Sequence, residues 1–174
     1  MIYPTKNNRL LVTYLIQLFC IACILFLACV YYSFSGSLPP HLKTVNIPLF
    51  DDRTSEFGLR EELTDEVINE FTKDNSLKLV DRNQADIYIT GIILSVQDYT
   101  GAYNVNEQVQ EIKVTLSVKI KCEDVKKRTV MWEETLRHYG NYDPNTGIEG
   151  RKEAISEAIQ KIAGDVLNKT VSGW

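Results

Sequence analysis

A two-layer α+β sandwich, two helices packed on one face of a mixed, mostly antiparallel sheet of about four to five strands, is the fold this 174-residue sequence predicts. Three observations carry it. Ile112, Val114, Leu116, Val118, Ile120 and Cys122 alternate without a break with Lys113, Thr115, Ser117, Lys119 and Lys121, the period of a strand with one buried and one wet face. Leu59, Leu63, Val67, Ile68 and Phe71 make one apolar stripe at helical spacing, and Ala154, Ile155, Ala158, Ile159, Ile162, Ala163, Val166 and Leu167 make a second. Two one-faced helices and a one-faced sheet bury one another most simply as two layers. The length suits one such domain and leaves no room for two.

The chain opens with an apolar run, residues 10–32, that carries no charge and follows Lys6 and Arg9. Spanning hydrocarbon takes roughly 20 apolar residues, more than the roughly 7 to 15 of a signal-peptide core, so the run is long enough to cross a membrane. The preceding positive charges put residues 1–9 in the cytoplasm and the rest of the chain outside. Ala28-Cys29 has the small residue before cysteine that ends a bacterial lipoprotein signal, which makes Cys29 the candidate lipidation site; Ala22-Cys23 is a second, similar pair. A plain signal anchor, with the cysteines as apolar side chains only, is the alternative, and either way the domain is tethered. The organisation is then a signal or anchor at 1–32, a linker at 33–42 with its Pro39-Pro40 pair, and a folded domain at 43–174.

Within the domain, residues 43–50 alternate Val45, Ile47 and Leu49 with polar neighbours and read as a first strand, with Pro48 marking its end or an edge. Asp51-Asp52-Arg53-Thr54-Ser55 reads as a turn supplying helix caps before a helix at about 58–73. A short strand at 77–80 follows. Residues 86–96 form the next strand, with Ile87, Ile89 and Gly91 on one face. After a polar connection at 97–108 come the alternating strand, a turn at 123–128, and a strand with Val130, Trp132, Leu136 and His138 on one side and Glu134 as the exception. The turn-rich Asp143-Pro144-Asn145-Thr146-Gly147 precedes the last helix, at 151–171.

Charge and chemistry narrow the function. Lys6 and Arg9 aside, the remaining 17 basic residues face 23 acidic ones, a balance that argues against nucleic-acid binding, which needs cations on phosphates. The folded part offers only His41, His138 and Cys122 as catalytic or metal-binding material. His41 lies in the linker, and His138 and Cys122 fall in the inward register of their strands, where a hydrogen-bonded histidine and a small buried hydrophobe are the ordinary readings. The acidic pairs Asp51-Asp52, Glu61-Glu62 and Glu133-Glu134 are sequence neighbours, which do not face one another on a helix or a strand. No phosphate loop, nucleophile elbow or zinc-protease motif occurs. An enzyme is therefore disfavoured, and no metal or cofactor is expected.

Two features suit binding. Lys113, Lys119 and Lys121 lie in one row on the wet sheet face, beside a turn carrying Lys126, Lys127 and Arg128. They make either a lysine-protected sheet face or an anion-binding patch for phosphorylated lipid. Tyr99 and Tyr103 stand near the tip of the polar connection, as partner contacts or as ordinary loop residues.

The stretch from Cys29-Val30-Tyr31-Tyr32 through Leu38-Pro39-Pro40-His41-Leu42-Lys43-Thr44-Val45, then Ile47-Pro48-Leu49-Phe50, Arg53-Thr54-Ser55, Leu59-Arg60-Glu61-Glu62-Leu63-Thr64 and Leu77-Lys78-Leu79-Val80, resembles the LptE-like lipopolysaccharide-assembly lipoproteins, especially the Bacteroidetes type. About half of the chain carries it. Family members usually begin Cys-Gly-Tyr-Tyr, where this chain has Val30. The resemblance implies a lipid-anchored domain on the periplasmic side of the outer membrane, seated in or beside an LptD-like β-barrel translocon and helping to deliver lipopolysaccharide to the outer leaflet. No ligand residue of the family maps onto this chain, so the basic residues above are proposed from their chemistry alone. The competing expectation is a tethered envelope scaffold of another secretion or surface-assembly complex.

Overall fold

The computed structural model describes residues 38–103 and 109–172, together with Gln17, with side chains for all of these except 101–103, 109 and 110. The folded unit is Gly36–Trp174. Its elements are β1 (Thr44–Asn46), β2 (Asp51–Asp52), α1 (Leu59–Asp74), β3 (Lys78–Leu79), β4 (Ile87–Tyr103), β5 (Val109–Asp124), β6 (Thr129–Tyr142) and α2 (Gly147–Ser172). The sheet runs β3-β1-β4-β5-β6, with β2 also paired to β4. The short strands pair parallel and the long β4-β5-β6 meander antiparallel. This is the predicted mixed sheet with two helices on one face.

The region read as one strand at 43–50 is two. Val45 pairs with Ile87 and Asp51 with Ile92 along the same edge of β4, and Pro48 lies in the break, having no N–H to give to a ladder. Asp51 and Asp52 are thus strand residues, not helix caps. The Asp52 carboxylate accepts from Thr54 N–H at 2.7 Å and the Thr54 hydroxyl accepts from Glu56 N–H at 3.3 Å, so these groups stabilise the approach to the helix. The cap itself is Gly58 at φ 78, whose carbonyl accepts from Glu62 N–H at 3.0 Å.

The connection predicted at 97–108 is largely strand. Gln97 pairs with Thr115, Tyr99 with Lys113 and Tyr103 with Val109, with bulges around Ala102. Residues 97–100 look like a loop because they are all exposed, on both faces of the strand, which removes the apolar alternation.

The core lies between the layers. Val45, Ile87, Ile89, Ile93, Val114, Leu116, Val118 and Ile120 from the sheet meet Leu63, Val67 and Phe71 of α1 and Ala158, Ile162, Ala163 and Val166 of α2, all essentially without solvent contact. A fully buried side chain of the larger kinds contributes about 1.5 to 3 kcal/mol. Helix α2 covers β5 and β6, with α1 beside it. Leu42, in the predicted linker, is only 4% exposed and belongs to this core. Gly91 leaves room for the Phe50 ring, which a Cβ there would meet at 2.5 Å.

Candidate functional site

The predicted basic row is an ion-pair ladder. Side chains alternate across β5, so Lys113, Lys119 and Lys121 do share the wet face, but each meets a partner from a neighbouring position. Lys119 binds Glu133 of β6 at 2.5 Å and Lys121 binds Glu123 at 2.7 Å. Lys113 lies 4.1 Å over the Tyr139 ring, which Lys161 of α2 also approaches, at 5.1 Å. Hydrogen bonding to Lys119 holds the Glu133 carboxyl below its ordinary range, and bonding to Glu123 raises the Lys121 ammonium.

In the β5–β6 turn, Lys126 reaches Asp86 at 2.6 Å. Asp86 also accepts from the N–H groups of Lys43 at 2.9 Å and Thr44 at 3.1 Å. Burial alone would push this carboxyl up; the bonds from Lys126, Lys43 and Thr44 outweigh it and bring it to about 2. Its neighbour Asp124 accepts from His41 at 2.7 Å and from Lys127 N–H at 2.8 Å. Again burial raises and the His41 and Lys127 bonds more than compensate, leaving the carboxyl lowered. Since Val125 N–H donates to the Asp86 carbonyl at 2.8 Å, residues 41–44, 84–86 and 124–127 form one polar knot at the start of β4. His41 is accordingly docked on the domain.

Three of the six predicted cations, Lys113, Lys127 and Arg128, make no ion pair with a carboxylate among the described residues. Arg128 stands at φ 56 in the turn and borders an open cavity of about 480 Å³ with Arg82 and Tyr88, two residues that the sequence reading did not single out. Nothing in their spacing joins positions 82, 88 and 128; the outward register of Tyr88 on its strand was the one available hint.

At the other end of β4, Arg151 of α2 binds Glu56 through two N–H groups at 2.8 and 3.1 Å, and Asp98 at 2.8 and 3.2 Å. Beside this clamp Phe57 is wholly exposed and Ile148 is 85% exposed, flanking an apolar cleft that sequence reasoning also missed. Tyr99 is about half exposed on the wet face of β4, its hydroxyl donating to Gln97. The side chain of Tyr103, and Cys29 with the whole predicted spanning run except Gln17, lie outside the described residues. Among the described residues no helix is long and apolar enough to cross a membrane, and no group of three or more His, Cys, Asp or Glu could hold a metal. His138 bonds Asp165 of α2 at 2.7 Å, and Cys122 is fully buried, where burial pushes its thiol up to about 12.

The sequence model of the LptE lipopolysaccharide-assembly family matches residues 42–170, which covers the folded unit almost end to end. The chain belongs to the LptE family. No curated protein sequence matches this LptE-family chain significantly. Solved structures share its fold at low identity. A hypothetical protein from Chlamydia trachomatis superposes with a TM-score of 0.53 at 11% identity, covering 74% of this chain and 95% of its own. A minor lipoprotein from Acinetobacter baumannii gives 0.50 at 16%, covering 73% and 91%. A PelC dodecamer from Paraburkholderia phytofirmans gives 0.54 at 14%, covering 79% and 94%.

Proposed function

We propose that this LptE-family protein is a non-enzymatic envelope lipoprotein, tethered through its N-terminal segment with Cys29 as the lipidated residue, that supports lipopolysaccharide assembly at the outer membrane. In this reading the domain at 43–174 plugs and braces an LptD-like β-barrel and helps to pass lipopolysaccharide to the outer leaflet. The observation that carries it is the family match across residues 42–170.

The surface is suited to such work. A polar barrel lumen accepts a hydrophilic, net acidic plug. Phe57, Ile148 and Tyr99 offer apolar and aromatic contacts for the barrel at the far end of β4. The ion pairs of Lys119 with Glu133 and of Lys121 with Glu123 are exposed on both sides, and exposed pairs are individually weak. Lipid phosphates can therefore exchange with their carboxylate partners, while Lys113, Lys127 and Arg128 need not break an ion pair. Several weak contacts allow transfer where one tight site would retain the lipid.

The test is a pull-down of the tagged full-length protein from detergent-solubilised membranes, with partners identified by mass spectrometry. A stoichiometric large β-barrel of the translocon type, co-purifying with lipopolysaccharide, is the expected result. Recovery with a different envelope complex and no barrel would instead establish a scaffold of another assembly machine.

A further inference from the structure

We infer that the cavity between Arg82 and Arg128 is a binding site for a phosphoryl group, with Tyr88 as its floor. Three separate elements build it: the 3-10 turn Arg82–Gln84 ahead of β4, the wet face of β4 at Tyr88, and the β5–β6 turn at Arg128. The Arg82 guanidinium lies 4.8 Å over the centre of the Tyr88 ring, a stacking that fixes its plane while leaving its N–H edge free. Arg128 occupies the left-handed backbone region that favours glycine, so its guanidinium is held in the turn at a backbone cost.

The two carboxylates in the lining are already committed. Glu123 takes the Lys121 ammonium at 2.7 Å, and Asp124 takes His41 at 2.7 Å and Lys127 N–H at 2.8 Å. Neither guanidinium has a carboxylate partner among the described residues, so the donors left to meet a ligand are cationic forks, which match the oxygens of a phosphoryl group. An open cavity of about 480 Å³ has room for that group and for what it is attached to. His41, joined to Asp124 at 2.7 Å, closes off that carboxylate at the rim of the site. The site deepens the reading above and rests on it only for the membrane as the source of the phosphate.

The experiment is calorimetric titration of the full-length protein in neutral, phosphate-free detergent micelles, with inorganic phosphate and, separately, with micelles doped with phosphatidic acid, undoped micelles serving as the blank. Saturable binding at least tenfold weaker in both Arg82→Gln and Arg128→Gly, and unchanged in Lys152→Gln, an exposed position on α2 outside the cavity lining, is the expected result. Arg128→Gly removes the guanidinium at a backbone angle glycine adopts freely, so the fold is kept. Binding of inorganic phosphate assigns a soluble ligand; binding confined to phosphatidic acid assigns a lipid head group. No saturable binding of either, no loss in one of the arginine variants, or an equal loss in Lys152→Gln overturns the site. A pull-down without a barrel would leave these titrations unaffected, so the two readings fail separately.

Discussion

Gly140 of β6 and Ala154 of α2 approach so closely that a Cβ on Gly140 would lie 2.1 Å from the Ala154 carbonyl oxygen. The obstacle is helix backbone, which cannot rotate aside as a side chain could. Gly140→Ala must push α2 off the sheet and is expected to cost about 2 to 3 kcal/mol, read as a lowered urea midpoint with unchanged slope. A midpoint equal to wild type would show that the layers are not in this contact.

Arg151 joins α2, the segment before α1 and the far half of β4, through Glu56 and Asp98. The clamp is partly exposed, so Arg151→Met is expected to cost about 1 to 2 kcal/mol by thermal or urea unfolding. Arg151→Lys should recover only part of this, because an ammonium lacks the planar fork that serves two carboxylates at once.

Asp86 gives a signed pH dependence. Its carboxyl lies at about 2 in the folded protein, below its ordinary 3.8, so its contribution is fully present above pH 4 and is lost as pH falls through 4 toward 2. The contribution is on the order of 2 kcal/mol. Urea midpoints measured from pH 5 to pH 2 should fall steeply in the wild type and less steeply in Asp86→Asn, which is already destabilised at pH 5. Parallel curves would refute the assignment.

Cys122 is expected to resist alkylation in the folded state, since it is fully buried and its thiol is pushed up to about 12. Peptide mass spectrometry after iodoacetamide treatment should show Cys122 unmodified in native buffer and modified in denaturant. Rapid native modification would mean that the β5 end of the core opens readily.

Exposed Phe57 and Ile148 flank the cleft beside the Arg151 clamp. If they meet a partner, the double change Phe57→Ser and Ile148→Ser will reduce barrel recovery in the pull-down while leaving the unfolding midpoint within about 0.5 kcal/mol of wild type. A full recovery of the barrel would remove this face from the contact.

Which face of α1, α2 and β5 is buried could be read from residue order alone, because a helix or a half-buried strand repeats its apolar residues at its own period whatever it packs against; on β6 the reading failed at Val130, placed inward but 49% exposed beside a register shift. The stripes at Leu63, Val67 and Phe71, at Ala158, Ile162 and Val166, and at Val114, Leu116 and Val118 are all buried as their spacing requires. The same reasoning missed the β4–β5 extension at 97–103, whose residues 97–100 are all exposed and show no apolar period. It also joined β1 to β2 across Pro48. Only the tertiary structure decided the electrostatics: that Lys119 and Lys121 are neutralised by Glu133 and Glu123, that His41 closes on Asp124 across 83 positions, and that Arg82 and Arg128 share one cavity. Periodicity determines orientation along one element, whereas charges interact through space at distances of a few ångströms, and which distant positions come that close is settled by strand pairing and turn geometry.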